Sequence, residues 1–299
     1  MKLAVMNSII SHRKSIYPLT PEAAIDKFCQ AGFKYTDYGI HGEFMSGDSP
    51  FLGDGWREYA DRVRERFARG GVEIVQSHSV FYNFFDGSEE SERFNALLPR
   101  NYEISALLGA KVTVMHPIAP PGLEYDRDAT RAINRDFFRR QAETAARFGV
   151  RIAVENMLSN RLFDGTIFKR CCTSSEELYE LVEEIDCENV GICIDTGHVL
   201  YMEEDIPSAL RRCAKYLIAL HMHDNDTFND SHVPPYCGRT DWEAVYRTLG
   251  EINYQGNGML EIIHLCEHMP EEIQGEALQY AAKLAAYMQK RINEGITVK

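Results

Sequence analysis

The sequence lacks the features of several common protein classes. No apolar run approaches the roughly 20 residues needed to cross a bilayer, and the N-terminal MKLAVMNSII turns polar too early for a secretory signal. The eight cysteines include no CxxC pair, which favours reduced cysteines over a disulfide framework or a redox motif. These absences predict a cytoplasmic protein without a membrane partner.

Basic charge is also scarce. The chain has 32 Lys and Arg against 45 Asp and Glu, a formal net charge of −13. A protein that holds a polyanion by charge needs the opposite sign, which argues against nucleic acid as a partner. No GxGxxG follows the first strand-like segment, so a dinucleotide-binding fold has no support. Because no linker rich in Pro, Gly or Ser divides the chain, we predict a single domain over residues 1–299.

Short β-branched segments alternate with longer amphipathic stretches along the whole chain. Eight segments have strand character: Leu3–Asn7, Tyr35–Ile40, Val72–His78, Lys111–His116, Arg151–Asn156, Val190–Asp195, Leu217–His223 and Met259–Ile263. Helical patterns follow near 21–31, 56–69, 90–108, 129–148, 174–186, 205–213, 241–250 and 271–291. Ser174 and Asp241 stand where N-caps are expected. Eight such repeats predict an α/β fold, a (β/α)8 TIM barrel with a parallel eight-stranded barrel and outer helices.

Long segments follow several of the predicted strands. They span 41–55, 79–89, 117–128, 157–173 and 224–240. In a barrel these segments lie on the face where active sites form, so we expect them to cover a substrate. Segment 79–89 contains four aromatic residues that either line a substrate pocket or pack the loop or a subunit contact: Phe81, Tyr82, Phe84 and Phe85.

Ionisable residues fall at the ends of the predicted strands. Glu155, Asp195 and Glu261 each belong to an apolar strand that should be buried, where an uncompensated carboxylate costs several kcal/mol. Histidines occupy similar places on other strands: His78, His116, His198, His221 and His223. A barrel brings these strand ends together, and converging carboxylates require a cation. The pattern predicts a bound divalent metal, with His223 either supporting a ligand or facing the substrate.

Four motifs together resemble a known family: VEN, DTGH, HxxDND and LE at the ends of predicted strands 5 to 8. They resemble the xylose isomerase-like barrels, the sugar and sugar-phosphate isomerases and epimerases related to tagatose epimerases. The resemblance extends from strand 3 to strand 8. It implies that Glu155, Asp195, His221 and Glu261 hold one divalent metal, and that the two glutamates act as acid and base on opposite faces of the substrate. His198 would lie beside the substrate oxygens.

The implied reaction is proton abstraction next to a carbonyl through a metal-stabilised enediolate, on a small sugar or polyol-like substrate. Proton return to the neighbouring carbon gives isomerisation, and return to the opposite face gives epimerisation. Oxygen-rich ligation suits manganese, magnesium or cobalt, whereas added histidines favour zinc. Arg239, after strand 7, is a candidate substrate-binding residue. Family analogy alone leaves a homo-oligomer open.

A second function remains open because the same superfamily contains endonuclease IV-type apurinic endonucleases, which bind three zinc ions. Their additional ligand positions are matched here by His78, His116, His198, Asp230 and His232. The chain could therefore be a multi-zinc phosphodiester hydrolase.

Other features favour a sugar enzyme over the endonuclease. The segment DSHVPPYCGRTDW keeps a Pro-Pro turn followed by a glycine and DW, and the acidic balance disfavours DNA. The endonucleases usually carry a glycine where this chain has Tyr236 and Cys237 before Gly238. An inosose-type dehydratase begins with the same proton abstraction, so it is a further alternative, as is a non-catalytic barrel that binds a ligand.

Overall fold

The computed structural model describes residues 1–10, 19–118, 125–161 and 167–297. Eight parallel strands form a closed barrel, and two short strands pair as an antiparallel ribbon. In chain order the strands are β1 (Leu3–Met6), β2 (Tyr35–Gly39), β3 (Glu73–His78), β4 (Val112–Met115), β5 (Arg151–Glu155), β6 (Asn160–Arg161), β7 (Ile167–Phe168), β8 (Val190–Asp195), β9 (Leu217–Met222) and β10 (Asn257–Leu260). The barrel order is β1-β10-β9-β8-β5-β4-β3-β2, and the ribbon is β6-β7.

Helices surround this barrel. They are α1 (Pro21–Gln30), α2 (Ile40–Met45), α3 (Trp56–Arg69), α4 (Glu89–Leu108), α5 (Arg127–Ala146), α6 (Ser175–Ile185), α7 (Thr196–Tyr201), α8 (Ile206–Cys213), α9 (Trp242–Glu251) and α10 (Glu271–Thr297). Short 3-10 helices occupy Asn7–Ile10 and Pro50–Leu52. The predicted TIM barrel is confirmed. In the described part of the chain, each helix is too short or too polar to traverse a bilayer.

Polar side chains start many of these helices. Ser174 accepts a hydrogen bond from the Glu177 amide at 3.2 Å, and Asp241 accepts one from the Ala244 amide at 3.0 Å. Each bond satisfies one of the amides that a first helical turn leaves unpaired. Both N-caps predicted from the sequence are therefore confirmed.

Small residues fill the interior of the barrel below its carboxyl end. Val114, Ala153, Cys193 and Ala219 form one buried cluster there. Because side chains alternate along a strand, residues two positions further along point into the same interior. This alternation determines which polar residues meet at the carboxyl end.

The structure corrects several predicted boundaries. The last barrel strand is Asn257–Leu260 rather than Met259–Ile263, so Glu261 follows the strand instead of lying within it. His198 does not end a strand, since helix α7 begins at Thr196 directly after β8. His116 and His223 each lie one residue past their strands. Of the long segments, 117–128 and 157–173 include residues 119–124 and 162–166, which fall outside the described residues.

Candidate metal and active site

Four side chains meet at the carboxyl end of the barrel. Glu155 ends β5, Asp195 ends β8, His221 lies in β9 and Glu261 follows β10. The strand register aligns Asp195 with His221 and Glu155 with Cys193. One ligand atom from each of the four residues lies within 4.8 Å of those of the others. The sequence-predicted set is therefore brought together in space.

His221 lies between the two glutamates. Its Nδ1 is 3.0 Å from Oε1 of Glu155 and 3.1 Å from Oε2 of Glu261. Burial alone would raise the pKa of the Glu155 carboxyl, but His221 and His116 hold it well below its usual range. Burial likewise opposes ionisation of Glu261, yet His221 lowers the pKa of that carboxyl too. Both glutamates are therefore carboxylates at neutral pH.

Several buried polar atoms in this cluster lack a hydrogen-bond partner. They include Oδ2 of Asp195 and Nε2 of His221, and Oε2 of Glu155 has only ion-pair contacts with His116 and His78. Unpaired buried polar atoms are costly. Three carboxylates and one imidazole form a donor set that suits a divalent cation. The residues thus fit a metal ion, which would pair with carboxylate oxygens that the protein leaves unsatisfied.

Two further histidines extend the cluster on one side. His116 Nε2 is 3.2 Å and His78 Nε2 is 3.5 Å from Oε2 of Glu155. The Nδ1 of His78 donates to the carbonyl oxygen of Ser79 at 3.0 Å. A histidine whose Nδ1 is held in this way presents its Nε2 as the metal-ligating atom. His78, His116 and Glu155 form a second potential ligand group that shares Glu155 with the first.

A third group lies on the opposite side, around Asp230. Its members are His198, His223, Asp230 and His232. The Nε2 atoms of His232 and His198 lie 3.1 and 3.5 Å from Oδ2 of Asp230. Their Nδ1 atoms donate to backbone carbonyls, those of Glu261 at 2.9 Å and Asn156 at 2.8 Å. Each Nδ1 is thus held by a backbone carbonyl, while both Nε2 atoms lie close to the carboxylate of Asp230.

Two imidazoles of this third group, those of His198 and His232, are held in the protonated form. Burial would lower the pKa of His198, but the Asp195 carboxylate and a hydrogen bond to Asp230 raise it to about 10. The pKa of His232 rises to about 9, because the bond to Asp230 outweighs burial. Protons on the imidazoles supply the charge that a metal ion would otherwise provide.

His223 links the first group to the third. It is completely buried, with Nε2 3.0 Å from Oδ1 of Asp195 and 3.7 Å from Oδ1 of Asp230. Its ring stacks on His232 with centroids 3.8 Å apart. A Cβ on Gly197 would lie 1.9 Å from Cε1 of His223. The glycine of the DTGH motif therefore makes room for this imidazole.

Asp224 holds the loop that carries Asp230 and His232. Its buried carboxylate accepts bonds from the amides of Asn225, Tyr236 and Thr240, the Thr240 hydroxyl and the Trp242 indole, all at 3.0–3.1 Å. A Cβ on Gly238 would come within 2.3 Å of the same carboxylate. The loop can therefore wrap tightly around Asp224 only with glycine at this position.

The remaining sequence candidates occupy different places. Arg239 is exposed on the β9–α9 segment, with its guanidinium 6.0 Å from the Phe228 ring centroid. Phe81 stacks on His116, with centroids 4.4 Å apart, and so lies beside the ligands. Phe84 packs against Phe137 in the core. Phe84 therefore packs the loop against the core, whereas a role for Phe81 in lining a substrate pocket stays a prediction.

One buried residue escaped the sequence analysis. Asp37 in β2 is completely buried, and neither of its carboxylate oxygens has a hydrogen-bond partner. Burial raises its pKa, and the nearby His221 and His78 only partly oppose this. It pairs in register with Gln76, whose amide atoms are also unsatisfied. An acidic residue in a predicted apolar strand was the available signal, the same one that identified Glu155.

The fold and this face place the protein in the class of TIM-barrel proteins whose ionisable residues gather at the carboxyl ends of the strands. The chain belongs to the xylose isomerase-like TIM barrel family, whose model matches residues 26–284. The family resemblance drawn from the motifs is therefore confirmed.

Individual relatives include proteins of known and unknown activity. An uncharacterised protein of Sinorhizobium fredii, y4fM, is 30% identical over 263 residues, 78% of each chain. A D-psicose 3-epimerase of Enterocloster bolteae is 29% identical over 134 residues, 45% of this chain and 40% of the epimerase.

Solved structures share the fold. A D-tagatose 3-epimerase-like protein superimposes with a TM-score of 0.74 at 21% identity, covering 99% of this chain and 100% of its own. The IOLI protein, solved with a zinc atom, has a TM-score of 0.73 at 17% identity, with both chains fully covered. These two structures show that the fold is shared along the whole chain.

Proposed function

We propose that this protein is a divalent-metal-dependent sugar isomerase or epimerase that moves a proton next to a carbonyl group. One observation carries the proposal: Glu155 at the end of β5 and Glu261 after β10 contact the same nitrogen of His221, at 3.0 and 3.1 Å. Two carboxylates so placed can address two faces of one substrate carbon. The sugar epimerase among the relatives supports the same reaction class.

The residues divide the chemistry as follows. Glu155, Asp195, His221 and Glu261 would hold the metal, which when bound polarises the substrate carbonyl and stabilises the charge that develops on its oxygen. Because both glutamates are carboxylates, either can accept the proton on the carbon beside the carbonyl. The partner then returns a proton, to the neighbouring carbon or to the opposite face of the same carbon.

The experiment is proton exchange measured by NMR in D2O on a panel of ketoses and their phosphates, with metal content determined in parallel. We expect Glu155→Gln and Glu261→Gln each to reduce turnover by about 10²–10⁴-fold. Glu143→Gln, an exposed carboxylate on α5, is the matched control and should keep full activity. Undiminished proton exchange in both site variants would refute the assignment of Glu155 and Glu261 as the acid/base pair.

A multi-zinc phosphodiester hydrolase is the second candidate. The observation in its favour is that all nine matched ligand positions lie in three contiguous groups, linked through Glu155 and through His223. About three zinc ions per chain, with incision of abasic DNA, would support it, whereas about one ion would support the sugar enzyme. His232→Asn should remove metal from the third group alone, and the exposed His264→Asn serves as its control.

An inosose-type dehydratase would use the same first proton abstraction. It would differ in the next step, because the hydroxyl on the adjacent carbon would leave as water. Loss of water from a ring polyol ketone, detected by mass spectrometry, distinguishes this outcome from isomerisation.

A further inference from the structure

The outer face of α10 carries a regular apolar stripe. Ile273, Tyr280 and Tyr287 are spaced seven residues apart and are 51, 45 and 49% exposed. Residues at this spacing lie on one face of a helix. Tyr236 is 47% exposed, and its ring centroid lies 6.0 Å from that of Tyr287. These four residues, here called the α10 patch, make up four of the nine exposed large hydrophobic residues in the described chain.

Charge changes sign along the same helix. The first half carries three acidic residues and no basic one: Glu271, Glu272 and Glu276. The second half, from residue 283 to 297, carries three basic residues against one acidic residue: Lys283, Lys290, Arg291 and Glu294. A helix with opposite charge at its two ends is complementary to an antiparallel copy of itself.

We propose that the α10 patch is the interface with a second copy of this chain, in which two α10 helices pack antiparallel about a two-fold axis near residues 283 and 284. In this arrangement Tyr280 of each copy meets Tyr287 of the other. Glu276 meets Lys290 of the other copy, which in its own chain has only an exposed 3.7 Å pair with Glu294. Arg291 remains paired with Glu243 and Glu294 of its own chain. The interface is isologous, so each favourable contact occurs twice.

Two further features bear on this arrangement: the pair of lysines that it brings near the axis, and a groove at the end of the helix. Lys283 is exposed near the axis in both copies, and its long stem lets each ammonium reach solvent. A surface groove of about 630 Å³ opens between α9 and the end of α10, lined by Tyr246, Arg291 and Gly295 among others. Residue 273 of the second copy falls opposite this end of the helix, so the groove can accept the Ile273 side chain.

The interface would also reach the candidate site. Tyr236 belongs to the loop that carries Asp230 and His232, and its hydroxyl bonds that of Tyr246 at 2.7 Å. Covering Tyr236 would therefore support this loop from the side opposite its ligands. The inference does not depend on which reaction the site performs.

Sedimentation velocity over a wide concentration range tests the proposal on the full chain. The wild type should dimerise, and Tyr280→Glu should be monomeric at concentrations where the wild type is paired. Ile133→Glu is the matched control, because Ile133 is a 40% exposed hydrophobic residue on α5, away from the patch. A wild type that stays monomeric, or a Tyr280→Glu variant that stays dimeric, overturns the proposal.

A charge exchange tests the antiparallel register. Glu276→Lys alone and Lys290→Glu alone should each weaken dimerisation by about tenfold, and the double variant should restore it. Within one helix the two positions lie about 21 Å apart, from a rise of about 1.5 Å per residue, so restoration can come only through a second copy. Dimers that the double variant fails to restore would disprove this register. Circular dichroism confirms that each variant folds.

Discussion

Removing the proposed metal should measurably destabilise the protein, and substitution of Asp195 tests whether the loss of a ligand is the reason. Glu155, Asp195 and Glu261 place carboxylate oxygens within 4.8 Å of one another. At that separation two unit charges repel by about 3.5 kcal/mol at an effective dielectric of about 20. Nearby imidazoles offset part of this repulsion, and a divalent ion would offset it more completely. Metal bound at about 100 to 1,000 times its Kd adds about 2.7–4.1 kcal/mol.

For a chain of this size that stabilisation corresponds to a Tm increase of roughly 4–7 °C. The assay is thermal unfolding of protein stripped with chelator and then titrated separately with manganese, magnesium, cobalt and zinc. Asp195→Asn should shrink the metal-dependent increase, because losing a ligand weakens binding by at least about 10–100-fold, or about 1.4–2.7 kcal/mol. The asparagine can still accept the 2.8 Å bond from the His198 amide that caps α7.

Asp205 provides the matched control. It caps α8 by accepting from the Ser208 amide at 2.9 Å, and it lies on the surface. Asp205→Asn should leave the metal-dependent increase unchanged. The reasoning fails if chelation leaves Tm unchanged in protein shown to have lost its metal, or if Asp195→Asn retains the full increase.

Three other predictions concern the frame of the site. Gly197→Ala should destabilise the fold by about 2–3 kcal/mol, because its Cβ would overlap His223. Gly275→Ala is the control and should not destabilise the fold, since Gly275 has open space around it. Urea unfolding measures both variants. Burial raises the pKa of Asp37, so the folded state favours the neutral carboxyl. The stability that this group contributes to the fold is present at low pH and is lost as pH rises above the ordinary carboxyl pKa. Asp37→Asn should therefore stabilise metal-free protein at pH 7 by about 1–3 kcal/mol, with the gain vanishing near pH 4; an equal gain at both pH values would contradict this. Asp224→Asn should cost about 2–4 kcal/mol in the same assay, since an amide nitrogen cannot accept the bonds that converge there.

The barrel was predictable because each strand is an apolar segment bounded by turn residues. The meeting of the candidate ligands was predictable because carboxylates in such segments are unusual. Glu155 and Asp195 illustrate this, since each ends a buried strand whose only basic residue, Arg151 of β5, is exposed at the other end. The register of neighbouring strands then brings them together.

Other features depended on contacts that the sequence does not display. The last barrel strand starts at Asn257 and Gly258, residues that are typical of turns. The side-chain amide of Asn257 nevertheless anchors the strand by donating a hydrogen bond to the Val75 carbonyl at 3.0 Å. Asp37 follows a register shift between Thr36 and Asp37, so simple alternation did not reveal the face it occupies. The start of α7 directly after β8 also moved His198 from a strand end into a helix.

The placement of Glu261 has a consequence for how the chain reaches its folded state. This residue follows β10, and β10 pairs with both β9 and β1 to close the barrel. A chain still emerging from the ribosome could assemble Glu155, Asp195 and His221, but it would lack the last carboxylate until β10 is in place. Metal uptake would then report completion of the barrel, and a bound ion would join the end of β10 to β5, β8 and β9.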